Sequence, residues 1–180
     1  RFFQQLAFGT GGLRSRTISN IGTAAERGSA AEGDRPEFPC VGTNALNYYN
    51  ITRATLGLVR YLLKAHAESG ATGRPSIALA RDSRHFGSEF ADCVTRVATE
   101  NGVDMFLFPE PRSTPQLSFA VRHLNASAGI VLTASHNPPS DNGYKVYWND
   151  GAQIVEPHAG GIRTADACRG ATPRERRPRW

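Results

Sequence analysis

Apolar side chains recur at intervals of three and four from Asn50 onward, where Ile51, Ala54, Leu58, Leu62 and Ala65 share one face. That spacing predicts an amphipathic helix, which Ser69-Gly70 ends. The period then shortens: Pro75 to Ala80 reads as a strand that runs into the charged turn Arg81-Asp82-Ser83-Arg84. A second helix follows, with Phe90, Cys93, Val94 and Val97 on one face and Gly102 as its stop, and Val103 to Phe108 makes another strand. Ser113-Thr114-Pro115 opens a third helix, with a hydroxyl cap and a proline in the first turn. Leu117, Ala120, Val121 and Leu124 are expected to line its buried side. Gly129 to Thr133 is an apolar strand, and Tyr144 to Trp148 alternates as a partly exposed one before the Asn149-Asp150-Gly151 turn.

Strands alternating with helices imply an α/β fold with a mixed, mostly parallel sheet and helices on both faces. The segment from Leu6 to Arg14 holds three glycines between apolar residues and is expected at a strand edge or in a loop. Residues 19–43 show no apolar period and read as a long loop. Past Ile162 the composition changes: residues 163–180 contain no Val, Ile, Leu or Phe, so that stretch is expected to be a basic, disordered or non-native tail after one folded unit over 1–162.

Composition narrows the function classes. Hydrophobic residues make up 39% and charged residues 21% of the 180, which suits a globular chain. The net charge is +5, but six arginines against two acids in residues 163–180 supply most of it, leaving a nearly neutral body without the basic groove of a nucleic-acid binder. No apolar run reaches transmembrane length and no signal peptide is present, so a cytoplasmic location with no membrane partner is expected. Three cysteines (Cys40, Cys93, Cys168) without a CxxC spacing read as reduced thiols. The chain has no initiating Met, its single Met being Met105, and reads as part of something longer.

Ligands of open parallel sheets gather beyond the carboxyl ends of the strands. Three segments sit there: Arg81 to Arg84, Glu110 to Thr114, and Thr133 to Asn142. The last is the densest, with Thr133-Ala134-Ser135-His136-Asn137-Pro138-Pro139 directly after a buried strand. Two prolines stiffen the bend, and Asn142-Gly143 is expected to reverse the chain so that Lys145 returns toward Ser135. A serine on such a turn is a candidate nucleophile or phosphate carrier, and a phosphoryl group of about −1.5 to −2 charges needs cations or donors around it. His136, Lys145 and Arg14 can supply them. An ordinary Asn-Pro turn remains the alternative. A serine hydrolase would need a Gly-x-Ser-x-Gly elbow, which Ala134-Ser135-His136 is not, and Gly9-Thr10-Gly11-Gly12 matches no nucleotide-binding loop. Arg81, Asp82 and Arg84 are read as bracing the loop edge. Tyr144, Tyr147 and Trp148 read as strand packing, His66 and His123 as solvated or dipole-favoured residues near helix ends, and His85 and His158 as residues without a metal-ligand neighbour.

The run Thr133-Ala134-Ser135-His136-Asn137-Pro138 resembles the phosphoserine signature of the α-D-phosphohexomutases. Phe8-Gly9-Thr10-Gly11-Gly12-Leu13-Arg14, Arg81-Asp82-Ser83-Arg84 and Gly143-Tyr144-Lys145 match further motifs of that family in its order. The resemblance covers roughly residues 6–162 and only the first of the family's four domains. It implies that Ser135 carries a phosphoryl group, passes it to a sugar monophosphate and recovers one from the other end of the bisphosphate. It also implies Mg²⁺ bound through the phosphoserine, glucose 1,6-bisphosphate as activator, a sugar phosphate as substrate, and Arg14, His136 and Lys145 around the site, with Lys145 a candidate for proton transfer. The family's aspartate-rich metal loop and its sugar- and phosphate-reading loops do not occur in this sequence, so little or no mutase turnover is expected of the chain alone. Phosphoglucomutase or phosphomannomutase chemistry is the first expectation. Phosphopentomutase activity and a non-catalytic first-domain remnant stand as alternatives.

Overall fold

The apolar runs and helical stripes become five strands and five helices among the described residues, which are 2, 4–9 and 11–167 of this computed structural model. In chain order they are β1 (Gly12–Arg16), α1 (Ala24–Arg27), α2 (Tyr48–Glu68), β2 (Ser76–Arg81) and α3 (Gly87–Glu100), then β3 (Asp104–Leu107), α4 (Thr114–His123), β4 (Ala128–Leu132), β5 (Asp141–Trp148) and α5 (His158–Ala167). The sheet order is β1-β5-β4-β2-β3. Strand β2 pairs parallel with both β3 and β4, whereas β5 runs antiparallel to β4 and to β1. Four strands therefore share one direction and β5 opposes them, in keeping with the mixed, mostly parallel sheet expected from the pattern.

Successive side chains on a strand point to opposite faces, and both faces here are covered. Ile77, Leu79, Ile130, Leu132, Tyr144 and Val146 pack with the helices α2, α3 and α5 in the larger core. Ala78, Ala80, Val131 and Tyr147 pack against Leu117 and Val121 of α4 in a smaller one. Helix α2 starts at its capping residue: Asn47 Oδ1 accepts from the Asn50 N–H at 3.1 Å. Helix α4 opens on a capping box in which the Ser113 N–H donates to Gln116 Oε1 at 3.0 Å.

Four expectations change. Helix α4 ends at His123, so Leu124 leaves the helical period and is 40% exposed, while Leu117, Ala120 and Val121 are buried. Strand β5 begins at Asp141, which puts Asn142 and Gly143 inside the strand and leaves the reversal to the preceding residues. The 19–43 loop contains α1, capped by Thr23 and Glu26. The Glu26 carboxylate is 1% exposed and accepts from Val41 N, Thr23 N and Ser19 Oγ, so burial of its charge is compensated and the loop is tied down. The boundary expected at residue 162 falls within α5, where 163–167 continue the helix; the rest of the expected tail, 168–180, lies outside the described residues. Gly161 lets the Tyr61 ring approach α5, while the Tyr61 hydroxyl pairs with His158 Nδ1 at 2.9 Å and His158 stacks on Trp148 at 4.2 Å.

Candidate active site

Strand β4 stops at Leu132 because Thr133 changes allegiance: its N–H donates to the Gly143 carbonyl at 3.0 Å, and the chain then turns out of the sheet. Within the turn the Asn137 N–H donates to Ala134 O at 3.2 Å, and the Asp141 N–H to Pro138 O at 3.0 Å. Ser135 sits at φ 59°, left-handed, with its N–H donating to Thr133 Oγ1 at 2.9 Å. A left-handed conformation costs a side chain about 1–2 kcal/mol, so the surrounding bonds must hold Ser135 there. The residue is exposed, and its Oγ lies 3.5 Å from His136 Nδ1.

Arg14 faces the same loop from β1. It stands opposite Gly143 in the register, and its Nη1 donates to Asn137 Oδ1 at 3.2 Å. Lys145 lies on β5 between Gly12 of β1 and Val131 of β4. Two glycines allow this three-strand approach. Gly12 has φ +139° and a Cβ there would overlap the Tyr144 carbonyl oxygen; a Cβ at Gly143 would overlap the Thr133 carbonyl oxygen. Burial lowers the Lys145 pKa from its ordinary value; Arg14 lowers it further and Asp82 pulls it back up. Ser135 and His136 thus share the loop that Arg14 reaches through Asn137, while Lys145 lies on the neighbouring strand β5. No hydrogen bond links Ser135 to Lys145 or Arg14 among the described residues.

Arg84 contributes most to the loop's support. Its side chain is 11% exposed and its Nε pairs with Asp82 Oδ2 at 3.2 Å. Its Nη1 donates to the carbonyls of Pro138 (2.6 Å) and Asp141 (3.0 Å), and its Nη2 to those of Ser135 and Asn137 (both 2.6 Å). The bracing expected of the Arg81–Arg84 turn is therefore made by Arg84, with Asn142 as a second tie from its Nδ2 to His85 O at 3.1 Å. Sequence spacing carried no sign of that partner, since 51 positions separate Arg84 from Ser135. Two apolar depressions of about 400 and 480 Å³ lie elsewhere, one lined by Phe38, Val41 and Tyr48 and the other by Phe108, Phe119 and Leu124.

Metal ligands are not assembled here. Among the described residues no three His, Cys, Asp or Glu side chains come together as a metal site. The carboxylates of the loop and of the turn that braces it are engaged, Asp82 by Arg84 and Asp141 by Asn137 at 2.9 Å. The residues present do not make a Mg²⁺ site by themselves.

Fold and rim together define a three-layer α/β/α domain whose polar groups collect around an exposed serine at the sheet's carboxyl edge. The model of the phosphoglucomutase/phosphomannomutase family, alpha/beta/alpha domain I, matches residues 35–166, and the chain belongs to this family. A phosphoglucomutase of Staphylococcus haemolyticus (strain JCSC1435) is 42% identical over 143 residues, covering 79% of this chain and 25% of that protein. One from Staphylococcus aureus (strain bovine RF122 / ET3-1) is 43% identical over 114 residues, 63% of this chain and 20% of that one. The chain thus spans about a quarter of the length of the curated relatives it matches. Among solved structures, a putative phosphomannomutase from Thermus thermophilus superposes with a TM-score of 0.64 at 29% identity, over 90% of this chain and 30% of that one. The open form of a Paramecium phosphoglucomutase, parafusin, gives 0.65 over 92% of this chain and 26% of its own, a likeness of fold at 21% identity.

Proposed function

We propose that this chain is the phosphoryl-carrying first domain of a phosphoglucomutase/phosphomannomutase, which interconverts sugar 1-phosphates and 6-phosphates through a bisphosphate. The observation that carries this reading is the exposed, left-handed Ser135 on a loop whose carbonyls are tied back, with His136 beside its Oγ and Arg14 reaching the loop from β1 through Asn137. In the priming step Ser135 Oγ bonds to a phosphorus of glucose 1,6-bisphosphate while the P–O bond to the sugar breaks. The Oγ proton leaves and the sugar oxygen gains one. Arg14, His136 and Lys145 offset the charge that then sits on the serine, and the lowered pKa of Lys145 suits it to proton transfer with the sugar hydroxyl. Mg²⁺ would withdraw charge from the phosphoryl oxygens, with its remaining ligands coming from parts of the enzyme outside this chain. The other three quarters of the relatives' length would supply the sugar contacts as well, so the chain alone is proposed to bind and carry phosphate without turning over. Cys40 and Cys93 are buried thiols outside any disulfide, which suits the cytoplasm, and no helix among the described residues is long and apolar enough to cross a membrane.

The test is intact mass after incubation with glucose 1,6-bisphosphate and Mg²⁺, for the chain alone and for the chain fused to the remaining part of the S. haemolyticus enzyme. A gain of about 80 Da mapped to Ser135, and lost in Ser135→Ala, supports the proposal. No gain in either preparation overturns it and leaves the non-catalytic remnant.

A further inference from the structure

An arginine side chain has five N–H donors in a rigid plane, and at Arg84 every one of them has an acceptor. Nε holds Asp82, and the two amino groups hold the carbonyls of Ser135, Asn137, Pro138 and Asp141. A brace between two loops needs one or two such bonds. Four carbonyls drawn to a single cation, all from residues 135–141, decide the orientation of the peptide planes in that turn. Pro138 and Pro139 have no N–H, so the turn is short of donors of its own and the guanidinium replaces them.

The Ser135 carbonyl is the one that matters for chemistry. A trans peptide is planar, so a carbonyl drawn toward Arg84 sends the next N–H the opposite way. That N–H belongs to His136, and it has no hydrogen-bond partner among the described residues. Rotating the Ser135–His136 peptide would exchange that free N–H for a carbonyl oxygen with its partial negative charge.

We infer that Arg84 is a positioning residue for phosphoryl transfer at Ser135: it fixes the 135–136 peptide so that the His136 N–H is presented to the phosphoryl oxygens. This rests on Ser135 being the carrier, as proposed above. The donor is preorganised before any anion arrives, which is the condition under which a backbone N–H contributes most to charge developing in a transition state. Lysine cannot substitute, because three donors on one point cannot reach five acceptors spread over two loops.

Two measurements on the 180-residue chain and on the fusion described above test it. The first is amide hydrogen exchange. Arg84→Lys is expected to speed exchange of the Asn137 and Asp141 amides by at least about tenfold, while the amides of β4 stay protected. The second is the initial rate of Ser135 labelling by glucose 1,6-bisphosphate. It is expected to fall about 10²-fold in Arg84→Lys and Arg84→Ala, and to be partly restored in Arg84→Ala by millimolar guanidinium, which a loss of general stability would not allow. Should Arg84→Lys not fold, Asp82→Ala keeps the four carbonyl bonds but frees Nε, and is expected to show a smaller change in both measurements. Wild-type labelling matched by Arg84→Lys, or faster loop exchange without slower labelling, overturns the inference. Wild-type protein that takes up no label overturns the parent reading instead, while the exchange measurement still decides whether Arg84 orders the loop.

Discussion

Gly143 lies in β5 at the point where three strands and the Ser135 loop meet. It opposes Arg14 of β1, and its carbonyl accepts the Thr133 N–H at 3.0 Å. In Gly143→Ala the added methyl overlaps the Thr133 carbonyl oxygen and lies 3.1 Å from that of Leu13, where ordinary contact starts at 3.4 Å. Both obstacles are backbone atoms held in the sheet, so no side-chain rotation relieves them and the strands must part. Overpacking of this kind costs about 1–3 kcal/mol. Loss of the Thr133–Gly143 bond adds about 1 kcal/mol, for a total of roughly 2–4 kcal/mol. In a domain of this size that corresponds to a fall in Tm of roughly 4–16 °C. Urea unfolding followed by circular dichroism measures the loss directly. The displacement falls on Thr133, two residues before Ser135, so labelling of Ser135 by glucose 1,6-bisphosphate should also slow by about 10²-fold at a temperature where both proteins are folded. A variant within about 0.5 kcal/mol of the parent, the range of an ordinary surface change, would refute the steric argument.

Ser135→Gly removes the side chain that makes the left-handed conformation costly, a gain of about 1–2 kcal/mol that exceeds the ordinary glycine penalty of about 0.5–1 kcal/mol. The variant should therefore unfold at higher urea than the parent while taking up no phosphoryl group, and a lower midpoint would show that Ser135 is not strained. Lys145 should titrate below its ordinary 10.5, with Arg14→Ala raising the midpoint and Asp82→Asn lowering it, as read by heteronuclear NMR. Because the unfolded chain then holds this proton more tightly, Lys145 makes stability rise with pH between its folded midpoint and 10.5, a slope that Lys145→Met should remove. Leu117→Ala opens a cavity in the smaller core between α4 and the sheet and should cost about 2–5 kcal/mol in urea unfolding; a cost under about 1 kcal/mol would mean that this face is loosely packed.

Helices α2, α3 and α4 were legible because burial along each leaves a stripe at three and four residues, and some of their ends carry chemistry of their own: Ser113 as a cap, Gly102 as a stop; the Asn47 cap of α2 showed only in the structure. The strands β2, β3 and β4 were legible as short apolar runs. Helix α5 was not, since Gly160 and Gly161 weaken its pattern and only packing against Tyr61 accounts for a glycine there. Within the candidate site, Ser135, His136 and Asn137 announced themselves by density of polar groups after a buried strand. Arg84 was legible as a brace of the loop edge, but not the carbonyls it holds, the first of them 51 positions away.

Periodicity and local chemistry act over a few residues, so the sequence by itself determined which segments become strands or helices, where most of them end, and which loop concentrates reactive groups. Strand direction, the insertion of β5 between β1 and β4, the left-handed Ser135 and the closure of Arg84 around four carbonyls belong to the tertiary structure. Several depend on contacts between residues far apart in the chain, such as Arg84 with Ser135 at a separation of 51 and Arg14 with Asn137 at 123. No local pattern encodes those pairings, because each is decided by which faces the whole chain can bury at once.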